Sequence, residues 1–402
     1  MTLGEQNLGY KAEQTSERST TLVQHELPQS TALDLAVLRR PKHAMGNDFY
    51  MVDQLSDDAL LIIVGDVIGK EGPVPPITNQ IVTTLRTTVS SGADRPAQIL
   101  IHSQELFTQM FDQTDLSMTL FIGKLEPSNG RLRYTNAGHS CILHRLAING
   151  TVQLLPPTGP SLGTIFHDKI DEQELMIAPG DQLLMASDGV RNIQSLQEEI
   201  FGADRLHGLF GMLGSLAAQE VIFRLDQAIN AFANNDLECA ERIQADMIAL
   251  LIQRRAESSA IDGQPAYWCT ERSFRDLLEE IPIFTGWIHG ITLAIDTWDN
   301  NRRYGVMLAS VECFTNIVEH AYREAGRTGA IHVSVVLAGH GLDIILRDIG
   351  VGPPIPPTFK TASLPGELAE GGYGLFIIWQ LADDVTFQSD AEGNTWRLSF
   401  RH

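Results

Sequence analysis

The chain of 402 residues has only four cysteines, Cys141, Cys239, Cys269 and Cys313, and no two stand at metal-ligand or redox spacing. That excludes a zinc module and a disulfide framework, and leaves reduced thiols. Basic residues are scarce too: 29 Lys and Arg face 50 Asp and Glu, a formal charge of −21 spread over both halves. Nucleic-acid phosphates repel so acidic a chain, so no direct nucleic-acid contact is expected and any link to transcription runs through proteins. No apolar run approaches the ~18 residues of a membrane span. The N-terminus lacks the basic-then-apolar layout of a signal peptide, so a cytoplasmic protein with no membrane segment is expected. Internal repeats and low-complexity tracts are absent as well. What is present is 43% hydrophobic residues, ample for cores, in a length that accommodates two or three domains.

The last third carries the most informative pattern. From Arg303 to Arg323 the apolar residues Met307, Val311, Phe314 and Val318 recur at spacings of three and four, which predicts a helix packed on a sheet. Glu312, Asn316 and His320 fall four apart and form a polar stripe beside it. The Asn316 carbonyl is a hard oxygen suited to Mg²⁺ and the phosphates that share it. Downstream, Leu342–Leu346 reads as a buried strand running into Asp348-Ile349-Gly350-Val351-Gly352. A carboxylate there can accept from an adenine amino group, while Gly350 and Gly352 let backbone approach the ligand. Gly371-Gly372-Tyr373-Gly374 then opens an apolar helix, where the N–H groups of Gly372 and Gly374 can face phosphates. Each piece alone is common turn chemistry; the ordered set is not.

That order resembles the Bergerat fold of the GHKL superfamily, and Glu312–Tyr322 is most similar to the bacterial anti-sigma-factor serine kinases. The resemblance covers residues 268 to 402. It implies that Glu312 is the general base on a substrate serine, Asn316 the Mg²⁺ ligand and Asp348 the adenine aspartate, with Thr395 supporting the adenine contact. A histidine kinase is the competing reading, because His25-Glu26-Leu27-Pro28 looks like a phosphoacceptor box. Nearly 290 residues separate it from the ATP motifs instead of one helical hairpin, which argues against it.

The intervening residues carry a second chemistry. Gly46-Asn47-Asp48 precedes the apolar run Leu60–Val64, which ends in Gly65-Asp66-Val67; Asp181–Ala186 reads as another buried strand ending in Ser187-Asp188-Gly189. Three aspartates at strand ends suit a hard dinuclear metal site. Together with Tyr134-Thr135-Asn136-Ala137-Gly138-His139 and Pro179-Gly180-Asp181, they resemble the metal-dependent type 2C serine/threonine phosphatases of the sporulation-protein-E branch, over residues 30 to 255. The resemblance implies two Mn²⁺ or Mg²⁺ ions, bridged by Asp66, with the Val67 carbonyl, Asp188 and Asp48 as further ligands. Departures are several. An aspartate expected after Asp48 is Met51, and the last ligand motif reads Gln244-Ala245-Asp246, so Asp246 serves only if its strand shifts by one residue.

The expected architecture is α+β: an N-terminal helix and linker (1–29), a type 2C sandwich of two antiparallel sheets flanked by helices (30–255), a linker (256–267) rich in small and polar residues, and a Bergerat-fold α/β sandwich (268–402). Implied partners are an anti-sigma-factor antagonist as substrate, a sigma or anti-sigma factor, and an upstream sensor or receiver protein; a homodimer is one expected assembly. ATP with Mg²⁺ is what the resemblance implies for the second domain. Two readings remain open beside a phosphatase–kinase: a kinase with an inert regulatory phosphatase domain, and an ATP-dependent binding protein.

Overall fold

Leu60-Leu61-Ile62-Ile63-Val64 is apolar at every position because both faces of its strand are covered. The structure, a computed structural model, describes residues 27–41, 46–69, 74–111, 114–163, 171–214, 216–233, 246–256, 268–295, 297–338, 341–352, 373–390 and 393–401. His25, Ala245, Gly372, Cys239 and most of the expected linker lie outside them.

In chain order, β1 (Leu33–Arg40), β2 (Asp48–Ser56) and β3 (Ala59–Ile68) lead into α1 (Val74–Ser90) and α2 (Pro96–Phe111). Then come β4 (Ser117–Glu126), β5 (Arg131–Ala137), β6 (Ile142–Arg145), β7 (Val152–Leu154), β8 (Gln173–Met176) and β9 (Gln182–Ala186). Helices α3 (Asp188–Arg191), α4 (Gly202–Leu213) and α5 (Ala218–Phe232) precede β10 (Met247–Arg254). Two antiparallel sheets result, ordered β2-β3-β4-β5-β8 and β1-β10-β9-β6-β7. Alternation sends Leu60, Ile62 and Val64 between the sheets to meet Met185, Leu250 and Ile252, while Leu61 and Ile63 meet Phe107 and Phe111 under the helices. Truncating such a fully buried phenylalanine costs about 3–5 kcal/mol. The layers are helix, sheet, sheet, helix, as the sandwich reading expects.

The third sheet, β11 (Trp268–Arg275), β12 (Ala330–Ala338), β13 (Gly341–Asp348), β15 (Gly393–Arg401) and β14 (Asp384–Asp390), is also antiparallel, in that spatial order. Helices α6 (Ile281–Leu293), α7 (Asn300–Asn316) and α8 (Tyr373–Leu381) belong to the same half. Val333, Val335, Ile344 and Leu346 of the sheet share one apolar cluster with Phe284, Trp287 and Phe314 of α6 and α7. Among the described residues, no helix is long and apolar enough to cross a membrane.

A composition shift at 256–267 predicts a linker between two halves, and across those halves the apolar cluster runs unbroken from α4 and α5 into α6 and α7. Glycine makes the approach possible. A Cβ on Gly208 of α4 would stand 2.1 Å from the Trp287 carbonyl oxygen, and one on Gly290 of α6 would stand 2.0 Å from that of Arg205. Polar groups seal the junction: buried Arg145, held by the Gly211 carbonyl at 2.8 Å, donates from Nη2 to the Cys269 carbonyl at 3.5 Å, Thr270 Oγ1 donates to the Gly150 carbonyl at 3.0 Å, and Arg272 pairs with Asp204 at 3.2 Å.

Candidate active sites

Asp48 and Asp66 are direct cross-strand partners at the start of β2 and the end of β3, so both carboxylates lie on one face, roughly 5 Å apart at Cβ. That face is the one between the sheets. Asp48 is 7% exposed, and its Oδ2 is buried with no hydrogen-bond partner. Burial first, then the charge of Asp66, push its carboxyl up to about 9, and it hydrogen-bonds both Ser187 and Asp66. Burial raises Asp66 as well. Val67 turns its side chain into the core beneath α1 and α2, which leaves only its main chain to the site.

The second sheet brings the other two carboxylates. Residues Met247, Ala249 and Leu251 of β10 pack on the helices, whereas Leu250 and Ile252 fill the sandwich. By the same alternation Asp246, just ahead of β10, falls on the sandwich side with Asp66. No slip of β10 is needed. Asn47 N–H donates to Asp246 Oδ2 at 2.5 Å, a Cβ on Gly46 would stand 2.9 Å from that carboxylate, and the Asp246 charge acts on both Asp48 and Asp66. Asp188 opens α3 after β9. Burial pushes its carboxyl up, but Arg191, with Ser140 and His139, more than offsets this and holds it below the usual range.

Four residues to which the sequence reading gave no role complete the surroundings. Arg191 donates to Asp188 Oδ1 and, at 2.6 Å, to Ser140 Oγ. Ser140 Oγ itself donates to Asp188 Oδ1 at 3.0 Å. Ser187 accepts the Ile248 N–H at 3.0 Å and hydrogen-bonds Asp48. Thr119 Oγ1 lies 3.1 Å from His139 Nδ1. The Asn-Ala-Gly-His motif is a clasp: Asn136 accepts the His139 N–H at 2.8 Å and donates to its carbonyl at 2.9 Å, which aims the next residue, Ser140, at Asp188. Burial pushes His139 down to about 4 and keeps it neutral.

Among the described residues, no three His, Cys, Asp or Glu side chains already converge on one point. The orphaned oxygen of Asp48 and the like-charged carboxylates around it nevertheless fit a hard divalent cation, which takes oxygen ligands and offsets their repulsion.

At the other site, Asp299 caps α7 by accepting the Arg302 N–H at 2.7 Å, a contact worth about 1 kcal/mol. Phe314 stacks on Phe284 with centroids 4.4 Å apart and fixes the rotation of α7. Glu312 and Asn316 therefore face α8: a Cβ on Gly374 would stand 2.9 Å from Glu312 Oε2 and 3.2 Å from Asn316 Nδ2. Asn316 Nδ2 is buried without a partner.

Past Asn316 the helix widens into a π segment, Ile317–Arg323, with the Glu324 N–H reaching back to the Glu319 carbonyl at 2.8 Å. Such segments recur at functional sites. Here it ties the Asp-x-Gly-x-Gly turn down, because the Ala321 carbonyl accepts the Val351 N–H at 2.9 Å and Tyr322 Oη accepts the Ile349 N–H at 3.1 Å. His320 is exposed and pairs with Glu324, so it does not join Glu312 and Asn316.

Asp348 ends β13 only 3% exposed, with Oδ1 accepting from the Gly350 N–H at 2.8 Å and from Asn394 Nδ2 at 2.9 Å. Its Oδ2 is buried without a partner, and burial raises its carboxyl. Gly350 packs against Ala321, where a Cβ would stand 2.6 Å from the carbonyl oxygen; Gly352 packs against Asn394. The residue that supports Asp348 is Asn394. Thr395 lies opposite Arg347, one register on, and so belongs to the other face of the sheet.

Residues 56–255 match the family Stage II sporulation protein E, and residues 275–400 match Histidine kinase-like ATPase domain. Protein IcfG of Synechocystis sp. is 28% identical over 207 residues, 45% of this chain and 32% of that protein. The anti-sigma F factor of Bacillus licheniformis is 34% identical over 89 residues, 21% of this chain and 58% of that protein. Serine-protein kinase RsbW of Bacillus pumilus is 32% identical over 96 residues, 21% of this chain and 56% of that protein. The chain thus spans less than two thirds of the length of each of these relatives. Among solved structures, the RsbU and RsbW domains of a Mycobacterium tuberculosis protein align over 92% of both chains, at 21% identity and a TM-score of 0.43. With its two matches in tandem, this chain joins a Stage II sporulation protein E-type domain to a histidine kinase-like ATPase domain similar to those of an anti-sigma F factor and a serine-protein kinase.

Proposed function

We propose that the chain is a bifunctional switch acting on a small anti-sigma-factor antagonist. The domain over 30–255 removes phosphate from its phosphoserine, and the domain over 268–402 restores it from ATP. Residues 1–29 precede the first domain, and 256–267 join the two. The observation that carries this reading is a pair of buried strand-end aspartates, Asp48 and Asp348, each with one orphaned oxygen and each in a different chemical setting.

In the first site Asp48, Asp66, Asp188, Asp246 and the Val67 carbonyl are the groups that offer oxygen to divalent ions, Mn²⁺ or Mg²⁺, with room in the ligand set for up to two; bound there, they would supply Lewis acidity to the phosphoryl group under attack. Ser187, which hydrogen-bonds Asp48, would hold its orientation toward such an ion. In the second site Asp348 accepts from the adenine amino group and Asn316 takes the Mg²⁺ that ATP brings. The N–H groups of Gly372 and Gly374 line the phosphates, and Glu312 takes the proton of the attacking serine hydroxyl. Names of relatives support the substrate class: an anti-sigma F factor and a serine-protein kinase. Further partners in this reading are a sigma or anti-sigma factor and an upstream sensor, in the cytoplasm, with a homodimer as one assembly.

The test is to treat antagonist and phospho-antagonist separately. Mn²⁺ without ATP should release phosphate in the wild type and in Glu312→Gln but not in Asp66→Asn; Mg²⁺-ATP should phosphorylate with the wild type and Asp66→Asn but not with Glu312→Gln. Equal rates across the variants would sink the assignment. A kinase with an inert phosphatase domain is the second reading, and the hold of Arg191 on Asp188 favours it.

A further inference from the structure

The carboxylate cluster already contains a cation of its own. Arg191 lies three residues after Asp188, one turn along α3, so its guanidinium faces the carboxylate. The terminal nitrogen donates both to Asp188 Oδ1 and to Ser140 Oγ, and Ser140 donates to the same Asp188 oxygen. One oxygen that a hard cation would take is therefore engaged by two donors. The guanidinium is mostly covered, its side chain 22% exposed, and its Nε is buried with no partner. A guanidinium does not lose its charge at any ordinary pH, so this block cannot be titrated away. A divalent ion arriving at Asp188 must displace a bonded positive charge or sit beside one. At Asp48 and Asp66 the situation is reversed, since an orphaned oxygen and a surplus of carboxylate await a cation.

We infer that Arg191 stands in for one of the two metal ions, so that the native cluster loads a single divalent cation at Asp48 and Asp66 while Asp188 is neutralised by its own helix. The inference deepens the phosphatase reading and rests on Asp66 being a metal ligand.

The experiment is a calorimetric titration of the full chain with Mn²⁺, without nucleotide, checked by electron paramagnetic resonance of the free ion. Wild type is expected to bind one Mn²⁺ and to lose it in Asp66→Asn. Arg191→Ala is expected to bind two, or to bind the second at least tenfold more tightly. Arg191→Gln, which keeps a donor to Ser140 without the charge, should behave like Arg191→Ala and serves if that variant misfolds. Arg191→Lys, which keeps the charge, should stay at one. Two ions of equal affinity in wild type and in both neutral variants would overturn the inference and leave the phosphatase reading standing. No Mn²⁺ bound by folded wild type or folded variants, or an ion retained by Asp66→Asn, would overturn both.

Discussion

Asp48 and Asp348 are the same device in two settings. Each is an aspartate at a strand end, almost wholly buried, with Oδ2 lacking a partner. Around Asp48 the neighbours are other carboxylates, Asp66 and Asp246, and its own carboxyl is pushed up to about 9. Around Asp348 the neighbours are neutral donors, the Gly350 N–H and the Asn394 amide, which lower a carboxyl that burial raises. The difference identifies what each free oxygen awaits. A crowd of like charges is relieved only by a cation, whereas a carboxylate already held by N–H donors accepts one more from a ligand.

Exchanging one atom at each position breaks the comparison most sharply. Asp66→Asn should slow Mn²⁺-dependent phosphate release by roughly a thousandfold or more, and by removing a like charge it should raise the melting temperature of the metal-free chain. Asp348→Asn should weaken ATP binding roughly 10- to 100-fold, the worth of one charge-assisted hydrogen bond, with no gain in stability. Nucleotide titration and thermal melts on both variants measure this; a stability gain in Asp348→Asn and not in Asp66→Asn would reverse the account.

The junction tests whether the two sites share one body. Gly290→Val forces a side chain against the Arg205 carbonyl and should cost about 3 kcal/mol, with both activities failing together on heating. Separate melting of two halves in the wild type would show that the shared apolar cluster does not couple them.

A smaller effect comes from pH. Burial pushes His207 of α4 and His289 of α6 down to about 4 each, from an ordinary value of 6.5. A histidine kept neutral by folding contributes stability that is complete above pH 6.5. That contribution is lost as pH falls toward 4, because the unfolded chain takes up the proton first. Unfolding free energies from urea titrations should therefore drop between pH 6.5 and 4, by on the order of a few kcal/mol, and a His207→Gln, His289→Gln chain should show a flatter profile.

Much of this was legible in the sequence wherever a strand end announced itself. Leu60–Val64 reads as a doubly buried strand, and Asp66 at its end is where the run predicts. Glu312 and Asn316 do share a face of α7, since a four-residue spacing survives any packing that keeps the helix. One residue of register was enough to mislead at the sheet: Asn394 and Thr395 are adjacent, but only Asn394 shares a face with Asp348. At Asp246 the same alternation worked the other way and brought the residue to the site without the expected slip. Arg191 carried no signal, because an arginine one turn after an aspartate is ordinary on any helix. Gly208 and Gly290 were equally silent, since a glycine's reason is written in the backbone opposite it, not beside it. The π segment adds its width through hydrogen bonding that no apolar period records.

The central claim is that one chain removes and restores the same phosphate. The direct measurement follows a single serine-phosphorylated antagonist by mass: Mn²⁺ is supplied first without nucleotide, then chelated, and Mg²⁺-ATP is added. The account expects the phosphoserine to disappear in the first stage and return in the second, with Asp66→Asn failing only the first and Glu312→Gln only the second. A phosphoserine untouched by Mn²⁺ in the wild type would contradict it.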